Sequence, residues 1–79
     1  PLLEAAALCI ENGRPTFALA YLDRAREQEP ESARLLMLYG DALAKRGKKA
    51  EAREYYERAR KDKGPLDRAA LERAVSALD

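Results

Sequence analysis

A spacing of 34 residues constrains this chain more than any other feature of its sequence. When the second half is moved back by that spacing, small and apolar residues fall on small and apolar residues: Leu43 on Cys9, Gly47 on Gly13, Ala52 on Ala18, Tyr56 on Leu22 and Ala59 on Ala25. Gly40 falls on Ala6, which is also small. A fixed period with small residues where neighbouring helices must approach is typical of helical repeat arrays. The sequence therefore predicts helices packed in successive pairs.

The best copy of the pattern lies in the middle of the chain. Leu36, Tyr39, Gly40 and Leu43 are followed by Ala52 and Tyr56. This order resembles the tetratricopeptide repeat, a helix-turn-helix unit of about 34 residues. The resemblance covers essentially the whole chain. It implies an all-α fold, a right-handed helical-repeat solenoid of antiparallel helix pairs with about two repeats and a C-terminal capping helix.

The same register divides the chain. We expect a single domain over residues 1–79, with a first repeat at 1–32 and a second at 33–65. Residues 66–79 are either a capping helix or the first helix of a third repeat. Because each repeat buries its apolar face only against the next, roughly three repeats are usually needed for stability. We therefore expect the chain to be a fragment of a longer protein.

Glycine and proline positions predict where the five helices begin and end. The predicted ranges are 2–12, 15–28, 30–46 and 49–63, with a last helix after Pro65. The second helix carries a stripe of Ala18, Leu22 and Ala25, with Phe17 and Tyr21 beside it, and this stripe should pack on the first helix. Cys9 occupies a core position, which predicts a small buried hydrophobe, with a reactive thiol as the alternative.

The first helix is apolar on nearly all sides between Leu2 and Ile10. Its own second helix can cover only one of those sides. We therefore expect the open side to be covered by self-association, and a symmetric homodimer is the commonest closed assembly.

Composition argues against catalysis. The chain has no His and a single Cys, which removes imidazole bases, histidine ligands and thiolate zinc sites. We predict no enzyme, no cofactor and no metal. A net charge of +1 argues against coating a membrane, and no run of about 18 apolar residues is present to span one. We expect a cytoplasmic location, with the periplasm as the alternative.

The resemblance implies that the first helix of each repeat lines a concave groove that holds a protein or peptide partner. The lining is expected to comprise Leu3, Ala7, Ile10, Arg34, Met37, Leu38, Asp41, Lys45 and Arg73. Leu3, Ile10, Met37 and Leu38 would form an apolar floor left in contact with water. Such a floor favours an apolar or amphipathic helix as the ligand. The alternatives are that the floor packs on another part of the parent chain, or that the chain self-assembles through the groove.

A second surface competes with the groove. Lys45, Arg46, Lys48 and Lys49 surround the turn between the third and fourth helices. Binding of nucleic acid or an acidic protein through this basic second repeat is the alternative function. Nucleic acid is the weaker of the two, since no stacking platform of aromatic residues lies among these lysines. A solvated turn explains the same residues without a ligand.

Overall fold

The computed structural model describes residues 1–28 and 31–79 and contains five helices in that part of the chain. They are α1 (Leu2–Glu11), α2 (Pro15–Gln28), α3 (Ala33–Lys45), α4 (Lys49–Lys61) and α5 (Arg68–Ala77). No strand occurs among the described residues. α1 packs on α2 and α3 on α4, α3 also contacts α1 and α2, and α5 packs on α4. The all-helical solenoid predicted from the repeat is confirmed.

The same tight turn closes the first helix of each pair. Gly13 and Gly47 have φ angles of 71° and 80°, the left-handed conformation that glycine adopts without a Cβ clash. One residue later, the amide of Arg14 donates to the carbonyl of Cys9 at 2.8 Å, and that of Lys48 donates to Leu43 at 2.9 Å. These bonds satisfy carbonyls that the helix ends leave free. The two helix pairs therefore share their turn chemistry as well as their packing pattern.

The third helix begins later than predicted. Glu29 and Pro30, where the start was expected, lie outside the described residues, and α3 starts at Ala33. The hydroxyl of Ser32 accepts the amide of Leu35 at 3.1 Å, so Ser32 is the N-cap. A serine side chain satisfies one of the four free amides at a helix start, whereas proline cannot. The carboxylate of Glu31, which precedes this cap, accepts a hydrogen bond from Arg58 of α4 at 2.7 Å.

The last helix also starts later than predicted, for the same reason. Asp67 accepts the amide of Ala70 at 3.0 Å and caps α5, which begins at Arg68 rather than directly after Pro65. The fourth helix ends at Lys61 rather than Lys63. The two starts were expected at prolines and lie at side-chain caps. The end of α4 was expected next to Gly64 and lies a few residues before it.

Two apolar clusters form the core. One lies between α1, α2 and the near side of α3, and the other lies between α3, α4 and α5. Leu19 and Tyr55 pack against both clusters and join them. The second cluster comprises Leu36, Leu43, Ala52, Tyr56, Ala59, Leu71 and Leu78. Cys9, predicted to be buried, is only partly buried at the edge of the first cluster.

An aromatic and cationic contact joins the helix pairs. The rings of Tyr39 and Tyr55 stack with centroids 4.9 Å apart, and the guanidinium of Arg26 lies 4.3 Å from the Tyr39 centroid. Arg26 donates to the Tyr55 hydroxyl at 3.2 Å, and the Tyr39 hydroxyl donates to Asp23 at 2.6 Å. The α2 end of the first pair is thereby bonded to both helices of the second pair.

Phe17 does not take the inward position predicted for it. Its side chain is 61% exposed, although its neighbour Ala18 is fully buried between α1 and α2. Adjacent residues on a helix lie about 100° apart, so the stripe of Ala18, Leu22 and Ala25 turns Phe17 toward water.

Candidate binding groove

α1, α3 and α5 together line a cavity of about 310 Å³. We call it the central cavity. α1 contributes Ile10, α3 contributes Ala44 beside Asp41 and Lys45, and α4 adds Lys49 and Tyr56. The remaining wall is formed by Ala74, Ala77 and Leu78 at the end of α5. Most of this lining is aliphatic, and the charged groups are few, which is the usual constitution of a binding cleft.

A second cavity of about 210 Å³ lies between α3 and the start of α5. Arg34, Met37, Leu38 and Asp41 line it from α3, and Leu66 and Asp67 line it from the other side. We call it the side cavity. Asp41 lines both cavities, so they adjoin along α3. The two together are referred to below as the groove.

The residues predicted from the sequence to line the groove are distributed more widely than expected. Ile10, Arg34, Met37, Leu38, Asp41 and Lys45 line one or both cavities of the groove. Leu3 lines a separate cavity of about 240 Å³ between the start of α1 and the end of α2, to which Arg34 also contributes. Ala7 and Arg73 line none of these three cavities. Ala7 packs against the first cluster, and Arg73 is exposed on α5.

The apolar floor was predicted to be left in water, and this is wrong for two of its four residues. Ile10 is only 8% exposed and Leu38 only 9%, because both pack into the cluster that α1, α2 and α3 share. Met37 and Leu3 are half-buried. Each of the two buried residues therefore presents only an edge to its cavity.

Four apolar lining residues were missed: Ala44, Ala74, Ala77 and Leu78. A signal for Ala44 was present in the sequence, since it lies one 34-residue period after Ile10. Leu78 was expected in the core, and it is buried there with one edge on the cavity. The sequence gave no such signal for Ala77.

Asp41 is the carboxylate at the junction of the two cavities. Its Oδ1 accepts the hydroxyl of Tyr56 at 2.5 Å, and Tyr56 itself is almost fully buried. Burial raises the pKa of Asp41, although the Tyr56 hydrogen bond and the nearby Lys45 act in the opposite direction. Burial also raises the pKa of Tyr56, and the bond to Asp41 adds to that rise. The groove thus holds an acceptor that is poorly solvated.

Two lysines, Lys45 and Lys49, also line the central cavity. Lys45 and Lys49 are exposed, and neither is in an ion pair within residues 1–28 and 31–79. Several arginines differ in this respect: Arg34 pairs with Glu4 at 3.2 Å, and Arg53 pairs with Asp79 at 2.8 Å. The ammonium groups at the groove therefore remain available to a ligand.

The basic turn predicted as a competing surface is exposed in the structure. Lys45, Arg46, Lys48 and Lys49 all lie in water, and in the described part of the chain none of them pairs with an acid. Lys45 and Lys49 line the central cavity, whereas Arg46 and Lys48 do not. This difference allows the two surfaces to be separated by substitution.

Across the described ranges, no group of three His, Cys, Asp or Glu side chains is placed to hold a metal ion. No helix in those ranges has the length and apolar character needed to cross a bilayer.

The tetratricopeptide repeat family model matches residues 3–68, which is most of the chain, with all of α2, α3 and α4 and all but the first residue of α1. Comparison with curated proteins and with solved structures gave no match. Repeats of this kind generally mediate protein–protein interaction and are typically non-catalytic scaffolds. On the strength of the 34-residue period, the paired helices and this match, the chain belongs to the tetratricopeptide repeat family.

Proposed function

We propose that the groove binds an amphipathic helix of a protein partner. The observation that carries this proposal is the central cavity, whose aliphatic wall is contributed by α1, α3 and α5 together. An apolar concavity shared by several helices fits the helix-in-groove mode of recognition, in which apolar side chains one turn apart enter the cleft.

The length of the groove sets the length of the ligand. It follows α3 from Arg34 to Lys45, which is about 16 Å at about 1.5 Å per residue. About three turns of a bound helix would cover that distance. Apolar anchors at i, i+3 or i+4, and i+7 would then reach both cavities.

Charge affects which partner helix is preferred but contributes little to the affinity. Lys45 and Lys49 on the rim favour an acidic flank on the partner helix, while the aliphatic wall supplies the burial. Rim charges in contact with water contribute little to affinity compared with apolar contacts removed from water. We therefore propose that apolar burial governs binding.

We also propose how the chain is divided into repeats and what else could occupy the groove. We propose repeats at residues 1–32 and 33–65, with residues 66–79 closing the groove as a capping helix or as the first helix of a third repeat. A segment of a longer parent chain could occupy the groove in place of a separate partner. A homodimer is also proposed.

The basic turn supports a second candidate function. Its four exposed cations have no acidic partners within the described residues, so charge-driven binding of an acidic protein or nucleic acid through Arg46 and Lys48 competes with the groove.

Selection from a display library of helical peptides tests the groove. Peptides of about 18 residues would be selected on the wild-type chain and then measured against Ala77→Arg, which places a cation in the aliphatic wall. Ala77 is exposed at the end of α5, so the variant should fold. Ala69→Arg is the matched control, because Ala69 is exposed on the same helix and lines neither cavity.

We expect the selected peptides to repeat apolar residues at three and four positions and to bind Ala69→Arg as tightly as wild type. Binding to Ala77→Arg should be weaker by about tenfold or more, the equivalent of about 1.4 kcal/mol. Selected peptides that bind Ala77→Arg equally well, or no enrichment at all, would contradict the proposal.

A further inference from the structure

Two large apolar side chains on the first helix pair lie in water. Leu8 of α1 is 57% exposed and Phe17 of α2 is 61% exposed, and both lie outside the groove. The half-buried Tyr21 follows Phe17 by one helical turn. We call Leu8, Phe17 and Tyr21 the open face. An apolar face of this kind on a helix pair indicates a contact with another molecule.

The repeat register identifies what kind of surface the open face is. One period after Leu8 is Ala42, and one period after Tyr21 is Tyr55. Ala42 is fully buried in the cluster shared with α1 and α2, and Tyr55 packs against the same cluster while Arg26 donates to it. In the second helix pair, the counterparts of Leu8 and Tyr21 therefore pack on the preceding pair, whereas Glu51, one period after Phe17, is exposed. The Leu8 and Tyr21 side of the open face is thus the equivalent, in the first pair, of a surface that is covered in the second.

The opposite end of the molecule does not offer a matching surface. The exposed residues of α5 are small, polar or charged: Arg68, Ala69, Glu72, Arg73, Ser76 and Ala77. Stacking a second chain head to tail would bury Leu8 and Phe17 against these groups. Stacking two open faces would bury apolar against apolar, and such a contact closes after two copies.

Charges around the open face select one arrangement of the two copies. Helical spacing places Glu4 and Glu11 on either side of Leu8, and places Arg14 and Arg24 on either side of Phe17 and Tyr21. All four are exposed, and Glu4 also accepts from Arg34 of its own chain. A two-fold axis parallel to the helices lays α1 over the partner's α2, which sets acids against arginines. An axis across the helices lays α1 over α1 and sets acids against acids.

We propose that the open face is the interface of a symmetric homodimer in which α1 of each copy lies on α2 of the other. The groove stays free in this dimer, because neither Leu8 nor Phe17 lines it. Failure of groove binding and failure of dimerisation are therefore separate results.

Sedimentation equilibrium over about 10 to about 500 µM tests the proposal, since a dimer forms by mass action. We expect the mass to rise to twice the 8.8 kDa of one chain and stop there. Leu8→Glu with Phe17→Glu should leave a monomer of unchanged helicity, because both side chains are mostly exposed. Ala69→Glu on α5 is the control and should dimerise as wild type does.

Charge reversal tests the arrangement. Glu11→Arg should weaken the dimer several-fold by facing Arg14 of the partner copy, and adding Arg14→Glu should restore it. A wild-type chain that stays monomeric would overturn the proposal and leave the open face to a different partner. A mass that grows beyond the dimer, a dimer that survives Leu8→Glu with Phe17→Glu, or a dimer strengthened by Glu11→Arg would overturn it as well.

Discussion

Asp41 lines the groove and also holds the hydroxyl of the buried Tyr56. Its carboxylate is held by the Tyr56 hydroxyl and lies where both cavities meet, so it loses much of its hydration. The pKa of Asp41 is raised because the cost of that lost hydration exceeds the benefit of the hydrogen bond and of the nearby Lys45.

The raised pKa has a consequence for stability that can be measured. The folded chain binds a proton at Asp41 more tightly than the unfolded chain does, so this group makes the free energy of unfolding fall as pH rises above its ordinary value of 3.8. Asp41→Asn removes the charge and keeps an oxygen for the Tyr56 hydroxyl. We expect the variant to be more stable than wild type at pH 7, and this gain to disappear near pH 3, where wild-type Asp41 is protonated.

Chemical denaturation at the two pH values measures the effect. Asp23→Asn is the matched control, because Asp23 accepts from the Tyr39 hydroxyl at 2.6 Å in the same way but is exposed to water. An Asp41→Asn chain that is less stable than wild type at pH 7 would show that the charged form is the one the groove stabilises.

At this scale, the sequence predicts which side of a helix a residue is on better than it predicts the depth of burial. The family resemblance implied that Asp41, Lys45 and Met37 line the groove, and each lines a cavity. It implied the same of Ile10 and Leu38, and these are mostly buried because they pack into the cluster that α1, α2 and α3 share. Depth depends on how closely and at what angle neighbouring helices pack, which spacing along one chain does not contain.

At the scale of helices, the approach of α3 to α4 depends on one glycine. A Cβ placed on Gly40 would lie 2.5, 2.6 and 2.9 Å from three carbons of the Tyr56 ring. That ring is almost fully buried and its hydroxyl is bonded to Asp41, so it has little room to move. The equivalent positions of the first pair hold Ala6, which is larger than Gly40, and Leu22, which is smaller than Tyr56. The extra volume on one helix is thus offset by the smaller side chain on the other.

Gly40→Ala should therefore destabilise the chain by about 1–3 kcal/mol through overpacking, despite the gain of about 1 kcal/mol that alanine brings to an unconstrained helix position. Tyr56→Leu alone should destabilise it by leaving a void and an unbonded Asp41. The double variant copies the Ala6 and Leu22 pair, and we expect it to lose at least about 1 kcal/mol less than the sum of the two single changes. Urea denaturation of the four proteins measures this, and additive losses would contradict the packing described.

The existence of the helices was predictable, and so were the starts of α1, α2 and α4, but the starts of α3 and α5 were not. Five helices were expected and five are present in the described residues, because apolar spacing and the two left-handed glycines carry that information. A proline marks the start of α2 as predicted, whereas Ser32 and Asp67, not the nearby prolines, cap α3 and α5. Both caps lie within three residues of a proline, and only the hydrogen bond to the third amide shows which residue begins the helix.

At the scale of the whole molecule, two surfaces with different chemistry lie next to each other. The concave side brings α1, α3 and α5 around an aliphatic cavity, and the basic turn between α3 and α4 lies at the rim of that cavity. Their overlap at Lys45 and Lys49 means that substitution of these lysines would disturb both surfaces. Arg46 and Lys48 belong to the turn alone, and Ala77 belongs to the groove alone.

The salt dependence of peptide affinity tests the central claim, that the groove binds a helix mainly through apolar burial. The affinity of a selected peptide would be measured at about 50 and about 500 mM salt for wild type, Ala77→Arg, and Arg46→Glu with Lys48→Glu. We predict a change of less than about threefold with salt for wild type, retention of binding when Arg46 and Lys48 are reversed, and loss of binding in Ala77→Arg. A steep fall of affinity with salt, together with loss on reversal of Arg46 and Lys48 and retention in Ala77→Arg, would instead place the binding site on the basic turn.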